Sequence, residues 1–157
     1  MENDKIQAAL QISEKSLKMN ITLLGDSHVS NADIYYVISK VNSLFNKINT
    51  KLKNYKGAID NLENMFSIYE KVYGYESEKT AKICMEFGQV YELSENFNEA
   101  IDQYANSFSI WEKVIKDNNY AIMFTLSMKI GEIYEKLENY QQAYEIVKNV
   151  SYFNKLD

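Results

Sequence analysis

The segment YKGAIDNLENMFSIYEKV at residues 55–72 recurs 42 residues later as FNEAIDQYANSFSIWEKV at residues 97–114. Ten of the 18 aligned positions are identical. A third, more diverged copy, YQQAYEIVKNVSYFNKLD, begins at Tyr140, 43 residues after the second. Because a fixed period of this length is typical of repeat proteins, the chain is expected to stack similar units rather than enclose one irregular core.

Each repeat is predicted to be a pair of helices. A second element, Gly88-Gln-Val-Tyr91-Glu, precedes one copy, and Gly131-Glu-Ile-Tyr134-Glu precedes the next. Gly inside a helix costs about 1 kcal/mol relative to Ala, so Gly88 and Gly131 are expected where the paired helix comes close. In the first copy, apolar residues follow helical spacing along one face: Ala58/Ile59, Leu62, Met65/Phe66, Tyr69 and Val72/Tyr73.

The composition argues against a sheet protein. The chain has 157 residues, 46% hydrophobic and 25% charged, which suits one folded domain. It contains no Pro and only 5 Gly, and all 17 basic residues are Lys. Because tight hairpins depend on Gly, Pro and Asn-Gly turns, long helices joined by short polar loops are favoured over a sandwich or barrel.

Small and aromatic residues of the repeats form a pattern: Gly, then Tyr three residues later, then Ala nine residues after the Tyr. It occurs at Gly88, Tyr91 and Ala100, and again at Gly131, Tyr134 and Ala143. This pattern resembles the tetratricopeptide repeat (TPR), whose standard period is ~34 residues. The longer period is similar to the kinesin-light-chain variety, as are two joints, Leu24-Gly25-Asp26-Ser27-His28 and Tyr73-Gly74-Tyr75-Glu76-Ser77.

The resemblance implies an all-α fold, a TPR-type helical-hairpin solenoid forming a right-handed superhelix. It implies about three and a half repeats and seven helices in a single domain, residues 1–157. Matching Gly25 to Gly74 places Ala9 at the position of Ala58. Residues 4–24 are therefore predicted to be the second helix of a repeat whose first helix is absent. The predicted repeats are 31–73, with a long first helix over 31–52, then 80–115 and 122–156.

The two ends of such an array expose apolar faces, since solenoids normally need polar capping elements. We therefore expect the terminal faces to be covered by another chain, by self-association or by a longer parent protein. In the last helix, predicted over 140–156, the apolar face and expected end-face contacts are Tyr144, Val147, Val150 and Phe153.

The sequence holds no arrangement that predicts catalysis. It lacks a phosphate-binding Gly loop, a His-Glu-x-x-His motif and a Gly-x-Ser-x-Gly motif. His28, the sole His, is expected to shape a loop, and Cys84, the sole Cys, to be a small buried hydrophobe. No catalytic residue, metal ligand or cofactor-binding residue is therefore predicted, and we expect no enzyme.

By analogy with TPR proteins, the first helices would line a concave groove that binds a partner. The expected groove residues are Lys82, Met85, Glu86, Gln89, Thr125, Met128, Lys129 and Glu132. Kinesin light chains carry a pair of Asn there, where this chain has Met85-Glu86 and Met128-Lys129. The carboxylate clamp of chaperone-binding TPRs is also unmatched, because Gln89 and Glu132 stand where an Asn is required.

Charge and composition indicate the class of partner. The net charge of −5 argues against nucleic acid, no window approaches the ~20 apolar residues of a membrane span, and no small-molecule substrate is evident. The sequence favours a protein-interaction scaffold or adaptor in the cytoplasm, as a subunit of a larger assembly for which a cytoskeletal or ciliary setting is the hypothesis. The alternative is a peptide-binding regulatory TPR sensor of bacterial type.

Overall fold

Seven helices make up the computed structural model, which describes residues 2–48, 55–115 and 120–153. Within these ranges there is no strand. The helices are α1 (Glu2–Leu24), α2 (Val29–Ile48), α3 (Lys56–Tyr73), α4 (Glu78–Leu93), α5 (Phe97–Val114), α6 (Ala121–Lys136) and α7 (Tyr140–Phe153). The prediction of an all-α fold with seven helices is confirmed.

The helices form two compact units, Met1–Tyr75 and Glu76–Asp157. In the first unit α1 packs on α2, and α2 packs on α3. In the second unit α4 packs on α5, α5 on α6 and α6 on α7. Within each unit a helix thus contacts its neighbours in sequence, as expected of stacked helical hairpins.

Two long-range hydrogen bonds fix the α2–α3 hairpin in an antiparallel register. Tyr69 Oη donates to Asp33 Oδ1 at 3.0 Å, near one end, and Ser39 Oγ donates to the Ala58 carbonyl at 3.1 Å, near the other. Burial, reinforced by the bond with Asp33, raises the pKa of Tyr69 to about 12. The tyrosine therefore stays neutral and remains a donor at physiological pH.

The α4–α5 hairpin depends on Gly88. A Cβ added at this residue would lie 2.6 Å from the Tyr104 ring, closer than real contacts allow. Farther along the hairpin, Ser107 Oγ donates to the Ala81 carbonyl at 2.8 Å in a buried contact. The prediction that a neighbouring helix comes close at Gly88 is confirmed, and the group that approaches it is the Tyr104 ring.

Glycines with positive φ end two of the helices, α1 and α3. Gly25 has φ +88° and Gly74 has φ +84°, a region that other residues rarely adopt. Their N–H groups donate to the carbonyls of Ile21 and Glu70, each at 2.9 Å. These bonds satisfy carbonyls that the helix end would otherwise leave open.

Side-chain hydrogen bonds stabilise the first turns of the helices that follow these two joints. Ser77 and Thr80 form reciprocal hydrogen bonds that cap α4. Asn31, in the first turn of α2, uses its Nδ2 atom to reach the carbonyls of Gly25 and Asp26, at 2.8 and 2.9 Å. His28 Nδ1 accepts from the backbone N–H of Ser30 at 3.2 Å, so His28 shapes this loop.

Parts of two predictions lie outside the described residues. They are the extension of the long first helix to residue 52 and the end of the last helix at 154–156.

We expect Gly88→Ala to lower the free energy of unfolding by about 1–3 kcal/mol, because the new methyl group would overlap the Tyr104 ring. Urea denaturation followed by circular dichroism measures this change. Gly57→Ala is the control, because its Cβ would meet Asn42 Nδ2 at 3.4 Å and Ala favours the helix. Equal losses in both variants would contradict a close approach specific to Gly88.

A second stability test concerns the ends of α4 and α6, where Glu95 has φ 63° and Glu138 has φ 56°. A left-handed backbone costs a residue with a Cβ about 1 kcal/mol. We therefore expect Glu95→Gly to raise the free energy of unfolding by ~0.5–1 kcal/mol. Glu99→Gly, inside α5, should lower it by about 1 kcal/mol, and a loss in both variants would disprove the strain at Glu95.

Candidate protein-binding surface

The eight predicted groove residues occupy one face of α4 and one face of α6. On each helix they follow the spacing i, i+3, i+4, i+7, opposite the buried side. Met85 and Met128 take the same place on their helices, and both are half-buried. We call these eight residues the α4/α6 surface: Lys82, Met85, Glu86, Gln89, Thr125, Met128, Lys129 and Glu132.

The lysines of the α4/α6 surface are paired within the protein. Lys82 forms a salt bridge with Glu78 and lies 5.9 Å from the centre of the Trp111 ring. The hydrogen bond from Lys82 lowers the pKa of the Glu78 carboxyl. Lys129 Nζ lies 3.1 Å from Glu132 Oε2. An anionic ligand would have to compete with these carboxylates, so the surface is poorly suited to gripping anions.

An ionic cluster joins the end of α4 to α5 and α6. Glu92 Oε1 accepts from Lys136 Nζ at 2.7 Å, and Glu92 Oε2 lies 3.8 Å from Lys129 Nζ. Tyr104 Oη donates to the same carboxylate at 3.2 Å. We call these four residues the Glu92 cluster; through Lys129 it holds the two faces of the α4/α6 surface together.

The groups of the Glu92 cluster hold one another in their ionised or donor forms. Burial raises the pKa of Glu92, but the bonds from Lys136 and Tyr104 and the charge of Lys129 outweigh it and lower the pKa below the ordinary value. The hydrogen bond to Glu132 raises the pKa of Lys129. Burial and the charge of Glu92 raise the pKa of Tyr104, which therefore stays a donor.

Sequence reasoning missed Glu92 and Lys136. Glu92 stands in the repeated element Gly-x-x-Tyr-Glu, and its counterpart Glu135 follows Tyr134. The repeat marks Glu92 as a recurring residue, but only the packing of three helices shows that its carboxylate meets two lysines and a tyrosine.

The predicted end face is described only in part. Tyr144 is 62% exposed, and Lys148 Nζ lies 5.9 Å from the centre of its ring. The side chains of Val147, Val150 and Phe153 lie outside the described part of the structure. Whether these four residues contact a partner remains a prediction.

The single thiol is buried and inert. Cys84 is 3% exposed, and burial raises its pKa to about 11, so the thiol stays protonated at neutral pH. This confirms the prediction of a small buried hydrophobe. Over residues 2–48, 55–115 and 120–153, no three His, Cys, Asp or Glu residues are grouped so as to hold a metal ion. None of the helices in these ranges combines the length and apolar character that crossing a membrane requires.

Solved structures with the same arrangement of helices are TPR-like repeat proteins. BtubC (BKLC) from P. vanneervenii matches with a TM-score of 0.78 and 14% identity over 98% of this chain and 58% of its own. A Podosopora anserina protein with nearly identical TPR-like repeats, named as a kinesin light chain, matches with a TM-score of 0.71 and 16% identity. That alignment covers 97% of this chain and 68% of the other.

These matches show the fold. The chain has the TPR-like helical solenoid fold, and the predicted likeness to kinesin-light-chain-type repeats is confirmed at the level of structure. The chain spans 58% of the length of BtubC. No protein-family model and no curated protein matches the sequence.

We expect Glu92→Gln to lower the free energy of unfolding by about 1–3 kcal/mol at pH 7, because the Glu92 side chain, which is only 16% exposed, loses the charge that it presents to two half-exposed lysines. Since the pKa of Glu92 is lowered in the folded protein, the ionised carboxylate stabilises the fold fully above about pH 4.5, the ordinary pKa of Glu. This stabilisation is lost as the pH falls through the lowered pKa. Urea denaturation at pH 7 and pH 3 should therefore show a difference that shrinks in acid.

The control for this prediction is Glu135→Gln, at the equivalent position of the next repeat, where the carboxylate is exposed. Its effect should stay within about 0.5 kcal/mol at both pH values. A Glu92→Gln loss that does not change with pH would contradict an ionic role for the cluster.

Proposed function

We propose that this chain is a non-catalytic scaffold or adaptor that binds another protein on the α4/α6 surface. The observation that carries the proposal is the repetition of one half-buried Met at the same place on two first helices. Methionine is flexible and polarizable, so it adapts to apolar partner side chains. TPR-like folds provide such surfaces, and interaction rather than catalysis is the function that this fold supports.

The charges of the surface indicate how a partner is held. Lys82 and Lys129 are already paired with Glu78 and Glu132, and the chain has no Arg to form a bidentate grip on an anion. Affinity therefore comes from apolar side chains that cover Met85 and Met128. The paired charges around the two methionines disfavour partners with unsuitable charges and set the position in which a suitable partner docks.

The setting that we propose is a larger cytoskeletal or ciliary assembly in the cytoplasm. It rests on the kinesin-light-chain name of one solved neighbour and on the similar long repeats of this chain. Localisation of the tagged chain by fluorescence microscopy tests the setting independently of the binding surface.

The double variant Met85→Lys with Met128→Lys tests the surface. It places two charges where an apolar contact is expected, so we predict that partner capture falls at least about tenfold, since a lost contact of 1.4 kcal/mol already has that effect. The tagged wild-type and variant chains are compared by affinity purification from the native cell with quantitative mass spectrometry. Circular dichroism should show unchanged helicity.

The matched control is Asn106→Lys with Ser109→Lys, which adds the same charge at two positions of α5 outside its buried stripe. This control should retain every partner that the wild type captures. If the methionine variant also retains them all, the α4/α6 surface is not the binding site and the proposal fails.

A further inference from the structure

The α4/α6 surface is most acidic towards the C-terminal ends of its two helices. Residues 86–96 and 129–139, which include the joints after α4 and α6, hold six Glu against two Lys. Residues 78–85 and 121–128, towards the N-terminal ends, hold one Glu against two Lys. Because the C-terminal end of a helix also carries a partial negative charge, this side of the surface favours a basic partner.

Four carboxylates of this acidic side lie on the same helix faces as the two methionines. They stand four or seven residues after Lys82, Met85 or Met128, positions that share one side of a helix. We call them the acidic edge: Glu86, Glu92, Glu132 and Glu135. Lys136 of α6 lies 2.7 Å from Glu92 of α4, so the C-terminal ends of α4 and α6 lie near each other. The acidic edge therefore extends across both helices.

The lysines of the Glu92 cluster do not balance the acidic edge. Its four carboxylates share two ammonium groups, because Lys129 contacts both Glu132 and Glu92, at 3.1 and 3.8 Å. Burial, and with it the charges of three of these carboxylates, raises the pKa of Tyr104, so groups from α4 and α6 act on one hydroxyl. A cation brought to this edge by a partner meets an excess of negative charge.

The hydrogen-bonding groups of the α4/α6 surface favour a helical partner. An extended peptide brings backbone N–H and C=O groups that need partners of their own. Apart from its charged residues, the surface has two hydrogen-bonding side chains, Gln89 and Thr125, and Thr125 Oγ1 already donates to the Ala121 carbonyl at 2.9 Å. A helix satisfies its own backbone groups and can lay an apolar face on Met85 and Met128.

We infer that the α4/α6 surface binds a basic amphipathic helix of another protein, whose Lys or Arg side chains lie on the acidic edge. The inference rests on the proposed scaffold function and adds the chemistry and orientation of the partner. Apolar side chains of the partner helix cover Met85 and Met128, and its basic flank follows the acidic edge. Lys82, near the N-terminal end of α4, disfavours the reversed orientation.

Three labelled synthetic peptides test this inference with the natural chain. The lysine peptide has a helical stripe of Leu flanked by Lys, the glutamate peptide has Glu in place of each Lys, and the serine peptide has Ser in place of each Leu. Fluorescence anisotropy at physiological salt should show the lysine peptide binding at least about tenfold more tightly than the other two. A central Pro in the lysine peptide should weaken its binding to the same degree, since Pro breaks a helix.

The double variant Glu86→Lys with Glu135→Lys, which we call the glutamate variant, locates the site. It should prefer the glutamate peptide to the lysine peptide. The matched control is Asp102→Lys with Glu112→Lys, which makes the same change in net charge at two exposed positions of α5. Because salt screens distant charges, the control should bind the lysine peptide within about twofold of the natural chain.

Several results would overturn the inference. They are equal losses in the glutamate variant and its control, equal affinity of the natural chain for the lysine peptide and either of the other two, and full affinity of the peptide with the central Pro. If cellular partners are lost with the methionine variant but kept with the glutamate variant, the proposed function stands and this inference fails. If the methionine variant keeps those partners, the proposed function fails.

Two other occupants of the acidic edge are distinguished in the same experiment. Residues 47–56 of the chain hold four Lys and no acid. If replacing these lysines with Ser raises the affinity for the lysine peptide at least about tenfold, the edge belongs to the chain's own residues and the inference is overturned. Self-association in sedimentation that the glutamate variant removes would assign the edge to a second copy and overturn it as well.

Discussion

Close contact between paired helices at small side chains is the constraint on which the rest of this structure depends. In the second unit the Tyr104 ring fills the space that a side chain on Gly88 would occupy. Ala100 and Ser107, on the same helix as Tyr104, are fully buried. Because interiors are packed as densely as organic crystals, these small residues set how near α4 and α5 can lie. The hydroxyl and carbonyl of Ser107 and Ala81 can then meet.

The same closeness creates the binding chemistry that we propose. Tyr104 is held by its ring against Gly88, and its hydroxyl reaches Glu92 at the end of α4. Glu92 in turn meets Lys129 and Lys136 of α6. The packing of Tyr104 on Gly88 inside the α4–α5 hairpin thus positions Glu92 for its ionic contacts with α6. These contacts in turn set the spacing of α4 and α6, the helices that carry Met85 and Met128.

The exposed face of α1 is best understood by comparison with the equivalent faces of α3 and α5, which are covered. Exposed apolar side chains are common on protein surfaces and by themselves indicate little. The exposed face of α1 around Ser16 differs because α3 and α5 bury the matching positions. Ser16 is exposed where Ser107 donates a buried hydrogen bond. The repeat therefore supplies an internal reference for the burial of equivalent positions.

The sequence by itself determined the period, the helices and their ends. Apolar spacing and the positions of Gly25 and Gly74 depend on local geometry, which residue order encodes directly. The burial of Cys84 followed from its place on an apolar face. The residues of the α4/α6 surface could be named from register alone, since positions three and four apart share one side of a helix.

Only the tertiary structure decided which charges meet. Glu92, Lys129 and Lys136 come from two helices separated by a third, and their distances depend on how the hairpins pack rather than on spacing within one helix. The pairs Lys82–Glu78 and Lys129–Glu132 lie within one helix and follow from its spacing, whereas the exposure of Ile12 and Met19 depends on their three-dimensional neighbours. Helical periodicity assigns a residue to a face, but the elements packed against that face decide whether it is covered, paired or open.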